Sequence, residues 1–203
     1  MITVNVSPYE IKRIMTTLDN SERDSNKLLR RAVNITAKKA MDMTAKATNK
    51  SYVYKFKLEG IKEAMSLKKA TMGNLEAVIK VKGPENPITN FKVTGQGGKV
   101  LKAKVLRASK LTALQIGDIK AFMTSFKSGH EAVVQRVPDQ KAKNRPPGKK
   151  SMITKHNQKL KALMSPSIPT MVGGEHGYGK VENEVSELLQ RNVYNEMLKV
   201  LFK

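Results

Sequence analysis

Two stretches with the period of an α-helix stand near opposite ends of this chain, and most of the sequence between them alternates with the period of a strand. That ordering restricts the fold more than any other feature. In the first stretch Leu29, Val33, Thr36, Ala40, Met43 and Ala47 recur at alternating steps of four and three, which lines one side of a helix. In the last, Val185, Leu188, Leu189, Val193, Met197, Val200 and Leu201 form a second stripe after Val181. Glu182, Glu184 and Glu187 fall in its early turns, where the helix dipole favours acids. The expected class is α+β: an N-terminal helical region, an antiparallel sheet and a long C-terminal helix.

The punctuation agrees. Residues 2–6 read as a short strand; Ser7, Pro8 and Glu10 then supply an N-cap, a first-turn proline and the acid of a capping box. Ile11, Ile14, Met15 and Leu18 continue that short helix, and residues 58–70 read as another, exposing Lys62, Lys68 and Lys69. Residues 75–81 are β-rich, and Gly83-Pro84 and Asn86-Pro87 break the chain twice. Residues 100–106 alternate Val, Leu and Ala with Lys, as an amphipathic strand with a basic outer face does. Residues 121–126 and 131–136 flank Lys127-Ser128-Gly129-His130 as a hairpin. Residues 160–164 return to strand and Pro166-Ser167-Ile168-Pro169 ends it. A glycine-rich hinge over 172–180 leads into the final helix, and residues 1–203 read as a single domain.

Charge sets the class of partner. The chain carries 38 basic and 17 acidic residues, a formal +21. Residues 1–85 hold 17 basic and 9 acidic, residues 86–161 hold 17 and 3, and residues 162–203 hold 4 and 5. Two thirds of the excess therefore lies in the middle, where it attracts polyanions and repels its own copies. Aromatic residues are 5% and Trp is absent, so the core rests on Val, Ile, Leu, Met and Ala, and neighbouring subunits are expected to add stability. Cysteine is absent, which removes disulfides and thiol chemistry. The start of the chain does not read as a signal peptide, and no apolar run approaches the ~18 residues of a membrane span.

The densest basic stretch follows the hairpin. Residues 138–151 hold Lys141, Lys143, Arg145, Lys149 and Lys150 among three prolines, with Asp139 as the sole acid, and read as a mobile basic loop. Lys155, Lys159 and Lys161 extend the run. Three readings stand: a solvated charge run, contact with the backbone of duplex DNA, or contact with an acidic protein. Contact with phosphate would be salt-sensitive and indifferent to base sequence. The stretch has no interleaved aromatics of the kind that stack single-stranded bases.

Enzymatic signatures are weak. Gly174-Glu175-His176-Gly177-Tyr178-Gly179-Lys180 matches the first seven positions of a phosphate-binding loop, but Val181 stands where magnesium needs Ser or Thr. Gly95-Gln96-Gly97-Gly98 reads as a loop between strands. His130, His156 and His176 share no ligand spacing. The expectation is a protein without catalytic residues, metal or cofactor.

Several segments in order resemble the minor tail protein Z family of lambda-type phage tails and related head–tail joining proteins. They are the Ala-rich helix over 29–47; Lys68-Lys69-Ala70-Thr71 followed by Ala77-Val78-Ile79-Lys80-Val81; the hairpin from Lys120-Ala121-Phe122-Met123 to Val133-Val134-Gln135-Arg136; and Pro166-Ser167-Ile168-Pro169 ahead of the last helix. The similarity spans roughly residues 25–203. It implies a structural virion protein at the neck, assembled in the bacterial cytoplasm as a hexameric or dodecameric homo-oligomeric ring that joins a tail to a DNA-filled head. Its implied partners are head-completion or connector proteins and a tail terminator or tail tube protein. Duplex DNA in a basic lumen and a subunit contact through the stripe of the last helix fit that picture, with no membrane involved. The stretch after Arg136 departs from the family in its added prolines and lysines. The rival readings are a free-standing basic nucleic-acid-binding protein and a nucleotide-dependent enzyme built on Gly174–Lys180.

Overall fold

The structure is a computed structural model and describes residues 1–17, 22–95, 99–126, 128–141 and 158–202. The chain gathers into two compact units where the sequence suggested one: Met1–Ser51, Phe56–Pro84 and Ser167–Lys203 form the first, Tyr52–Lys55 and Glu85–Pro166 the second. The class is α+β as expected, with several small antiparallel sheets and a long C-terminal helix.

The first unit holds β1 (Ile2–Val4), α1 (Pro8–Thr17), α2 (Glu22–Ser51), α3 (Lys57–Glu63), β2 (Met65–Lys68), β3 (Ala77–Val81), α4 (Ile168–Gly173) and α5 (Glu182–Leu201). Its sheet runs β1-β3-β2, all antiparallel. Ile2 and Leu67 lie opposite Ile79 from either side, so three apolar side chains share one face. The spine is α2, 30 residues and so about 45 Å long. Sheet, α3 and α5 all pack on it.

The buried side of α2 is small and partly polar: Leu28, Leu29, Ala32, Val33, Ser25, Thr36, Ala37, Ala40, Thr44 and Thr48. Small side chains let α5 approach closely. Three hydroxyls are satisfied within the helix, Thr36 donating to the carbonyl of Ala32, Thr44 to Ala40 and Thr48 to Thr44, at 2.7–2.9 Å. The start of α1 is the anticipated capping box: Ser7 Oγ accepts from the Glu10 amide at 3.2 Å, and Glu10 Oε2 accepts from the Ser7 amide at 3.3 Å.

Three local expectations change. The helix expected over 58–70 stops at Glu63, because Met65–Lys68 pair with β3 and tertiary pairing overrides helical propensity. The proline-rich stretch at 166–169 starts a helix: Ser167 caps α4 by accepting from the Thr170 amide, and Pro169 sits in the first turn, where no amide is needed. The stretch expected to act as a hinge is packed. Met171 and Val172 are fully buried, and a Cβ on Gly177 would lie 2.3–2.9 Å from the carbonyls of Met171 and Val172 and from Thr48 Oγ1. Glycine is there for close approach.

The second unit contains β4 (Asn86–Pro87), β5 (Lys92–Thr94), β6 (Lys102–Lys104), β7 (Thr112–Ala113), β8 (Gln115–Ile116), β9 (Ile119–Lys120), β10 (Phe122–Ser125), β11 (Glu131–Lys141), β12 (Gln158–Ala162) and β13 (Met164–Ser165). They form the sheets β5-β6-β7 and β10-β11-β12 and the pairs β4-β13 and β8-β9. Single backbone bonds carry the ladders onward: Leu114 N to Leu101 O (2.7 Å), Ala121 N to Leu114 O (2.8 Å), Leu163 N to Val133 O (2.8 Å) and Ile88 N to Leu163 O (3.0 Å). The core between them is Ile88, Leu101, Ala103, Ala121 and Val133, extended by Val93, Val105 and Leu163.

Candidate nucleic-acid and subunit interfaces

The expected hairpin is β10–β11, in the register Phe122↔Val134 to Ser125↔Glu131. Gly129, with φ +78°, makes its turn, and Phe126 stacks on His130 beside it. Beyond the hairpin β11 keeps going through Pro138 to Lys141, so the residues expected to open a loop are strand. The register with β12 breaks between Arg136 and Lys141, which is where Pro138, having no amide to donate, leaves the ladder. Arg136 rests over the Phe122 ring at 5.1 Å.

Of the basic run, Lys141 ends β11 and pairs through its backbone with Gln158. Lys143, Arg145, Lys149, Lys150 and Lys155 lie outside the described residues, as does most of the loop expected over 138–151. Lys159 and Lys161 are exposed on β12; Lys159 Nζ donates to Gln140 Oε1 at 3.2 Å, and Lys161 lies opposite Gln135.

A second group of cations stands on β5-β6-β7. Ala103 is buried in the unit's core, so its neighbours Lys102 and Lys104 point to the other side of β6, the basic outer face that alternation predicted. The register places Lys92 directly opposite Lys104 and Thr94 opposite Lys102. Arg107 and Lys110 follow, exposed on the connection to β7. Sequence reasoning saw the alternation of β6. It could not see Lys92, because cross-strand register is not written in one strand. The second unit as a whole carries 18 basic and 4 acidic residues, a formal +14.

The stripe of α5 divides along its length. Val185 is buried, Leu188, Leu189, Val193 and Met197 are half-buried against the first unit, and Val200 and Leu201 are exposed at 37% and 47%. Asn192 and Glu196 lie on the buried side, a feature that apolar periodicity missed. Asn192 Nδ2 donates to Thr36 Oγ1 at 2.9 Å, and Lys199 Nζ donates to Glu196 Oε1 at 2.6 Å. Near the end of the helix, Glu196, Lys199, Val200 and Phe202 line a cleft with Asp24 and Arg31.

The glycine stretch resembling a phosphate loop has another occupation. Lys180 Nζ donates to Ser51 Oγ at 3.1 Å, and burial raises the Tyr178 hydroxyl above its ordinary pKa, helped by Glu182. Among the described residues no group of three His, Asp or Glu is placed to hold a metal, and no helix is long and apolar enough to cross a membrane.

Fold and surface together define an α+β protein whose β-rich unit is strongly cationic. The chain belongs to the prophage minor tail protein Z family, whose model matches residues 11–202. It is thus a structural protein of a phage tail, found in the virion. Neither a curated protein nor a solved structure matches it.

Proposed function

We propose that this tail protein completes the tail at its head-proximal end. Its copies form a homo-oligomeric ring at the neck, assembled in the host cytoplasm, that joins the tail to a DNA-filled head without catalysing a reaction. Head-completion or connector proteins lie on one side and a tail terminator or tail tube protein on the other.

The observation that carries this reading is the uneven charge of a family member. A formal +14 concentrated on one unit suits a passage lined for duplex DNA, whose condensed counterions basic side chains displace. The exposed end of α5, with Tyr194, Val200, Leu201 and Phe202, offers an apolar contact between copies.

The test is genetic. Particles made without this protein should accumulate as full heads and complete tails that fail to join, and supplying it to the mixture should restore infectious virions. Normal virions in its absence would overturn the reading.

A further inference from the structure

We infer that the outer face of β5-β6-β7, bearing Lys92, Lys102 and Lys104, is a docking surface for the sugar–phosphate backbone of duplex DNA.

Like charges directly opposite each other destabilise a sheet, yet Lys92 and Lys104 are paired across adjacent strands. Lys102 adds a third cation two residues along, roughly 7 Å away on the same side. The remaining members of that side are Thr94 and Ala113, so no carboxylate offsets the lysines within the sheet. Among the described residues none of the three lysines makes an ion pair. Arg107 and Lys110 extend the cationic surface at the turn that follows.

The composition of the face selects the partner. Its strands carry no large apolar or aromatic anchor of the kind on which a protein interface concentrates its affinity. Among the described residues of the β6–β7 connection, the one large exposed apolar side chain bordering it is Leu111. The face also lacks aromatic platforms for single-stranded bases. Cations and a threonine on a rigid sheet are what contact with a regular double-stranded polyanion requires, without reading sequence. The described members of the sequence-selected basic run, Lys141, Lys159 and Lys161, belong to the other sheet, β10-β11-β12.

For the source of the duplex this inference rests on the neck reading, but its test does not. The full-length protein is titrated with a duplex of about 30 base pairs at several salt concentrations. Replacing Lys92, Lys102 and Lys104 together by Gln should flatten the plot of log affinity against log salt by roughly 2 to 3. Replacing Lys12, Lys39 and Lys50 of the first unit, an equal loss of charge, should change it by less than 1. Equal effects of the two sets, or an unchanged slope, would overturn the inference. So would polyglutamate binding as tightly as duplex through the same three lysines, which would make the partner an acidic protein.

A second variant guards against misfolding. Lys92→Glu turns the opposed lysines into an ion pair, so it should raise the thermal midpoint while weakening duplex binding several-fold. Greater stability with undiminished binding would mark a merely solvated face. Failure here leaves the joining reading intact, whereas normal virions without the protein would remove that reading and leave duplex binding untouched.

Discussion

Asn34, in the middle of α2, holds both backbone polar groups of Ala70. Its Nδ2 donates to the Ala70 carbonyl at 3.1 Å, and its Oδ1 accepts from the Ala70 amide at 2.8 Å. One side-chain amide thus does the work of a neighbouring strand where the chain has just left β2. Replacing Asn34 by Leu keeps the branching of the side chain but strands both groups of a residue only 5% exposed. The expected loss is about 2–3 kcal/mol, read as a lower urea midpoint with an unchanged slope.

Asn192 and Thr36 form the corresponding polar contact between α5 and α2. Asn192→Ala should cost about 1–3 kcal/mol, because it also opens a gap beside Thr36. Thr36→Val leaves the Asn192 amide buried and should cost a similar amount. The double variant should lose less than the two combined, and a double-mutant cycle on urea midpoints measures the difference.

Gly177 and Gly179 differ by two positions and should differ sharply on substitution. A Cβ at Gly177 meets two carbonyl oxygens at 2.3 and 2.4 Å, whereas at Gly179 the nearest atom is 3.6 Å away. Gly177→Ala should therefore destabilise by about 2 kcal/mol or more, and Gly179→Ala should stay within about 0.5 kcal/mol of the parent. Thermal midpoints compare them directly.

The hydrogen bond to Lys62, supported by its charge, holds the Asp42 carboxyl below its usual range. A lowered pKa in the folded protein contributes stability above the unfolded value near 3.8, and that contribution vanishes as pH falls through the folded value. Both partners are more than a third exposed, so Asp42→Asn should cost at most about 0.5 kcal/mol at neutral pH and nothing in stronger acid. Urea midpoints at pH 7 and below pH 3 check the sign.

For the proposed subunit contact, Leu201→Asp should abolish self-association while leaving the thermal midpoint of the monomer unchanged, since Leu201 is exposed. Sedimentation velocity would show it; an oligomer that persists would place the contact elsewhere.

Patterns that one segment completes by itself were legible in the sequence. The capping box of Ser7 and Glu10, the β10–β11 hairpin and the alternation of Lys102, Ala103 and Lys104 each need only neighbours a few residues away. Patterns completed by a distant segment were not. Steps of four and three average 3.5 residues, while a straight helix turns every 3.6, so the stripe through Leu29, Val33, Thr36 and Ala40 drifts. Past Ala40 the buried side passes through Thr44 and Thr48, and Met43 and Ala47 are left half-buried. Asn192 looks like a break in an apolar stripe until Thr36 is set against it. Lys92 became a candidate only through its register with Lys104, and α4 was hidden because prolines that end a strand also open a helix.

The Asn86 side chain receives the Tyr54 hydroxyl at 3.1 Å and donates to the Pro166 carbonyl at 2.8 Å, and its backbone pairs with Ser165. Residues eighty positions apart thus stand side by side at the two ends of the longer segment of the cationic unit. A segment whose two ends meet at one stitch can be lengthened, recharged or grafted from a relative without rethreading the helices that flank it. Sequence changes can accordingly accumulate in the cationic unit while the helical unit keeps its own core.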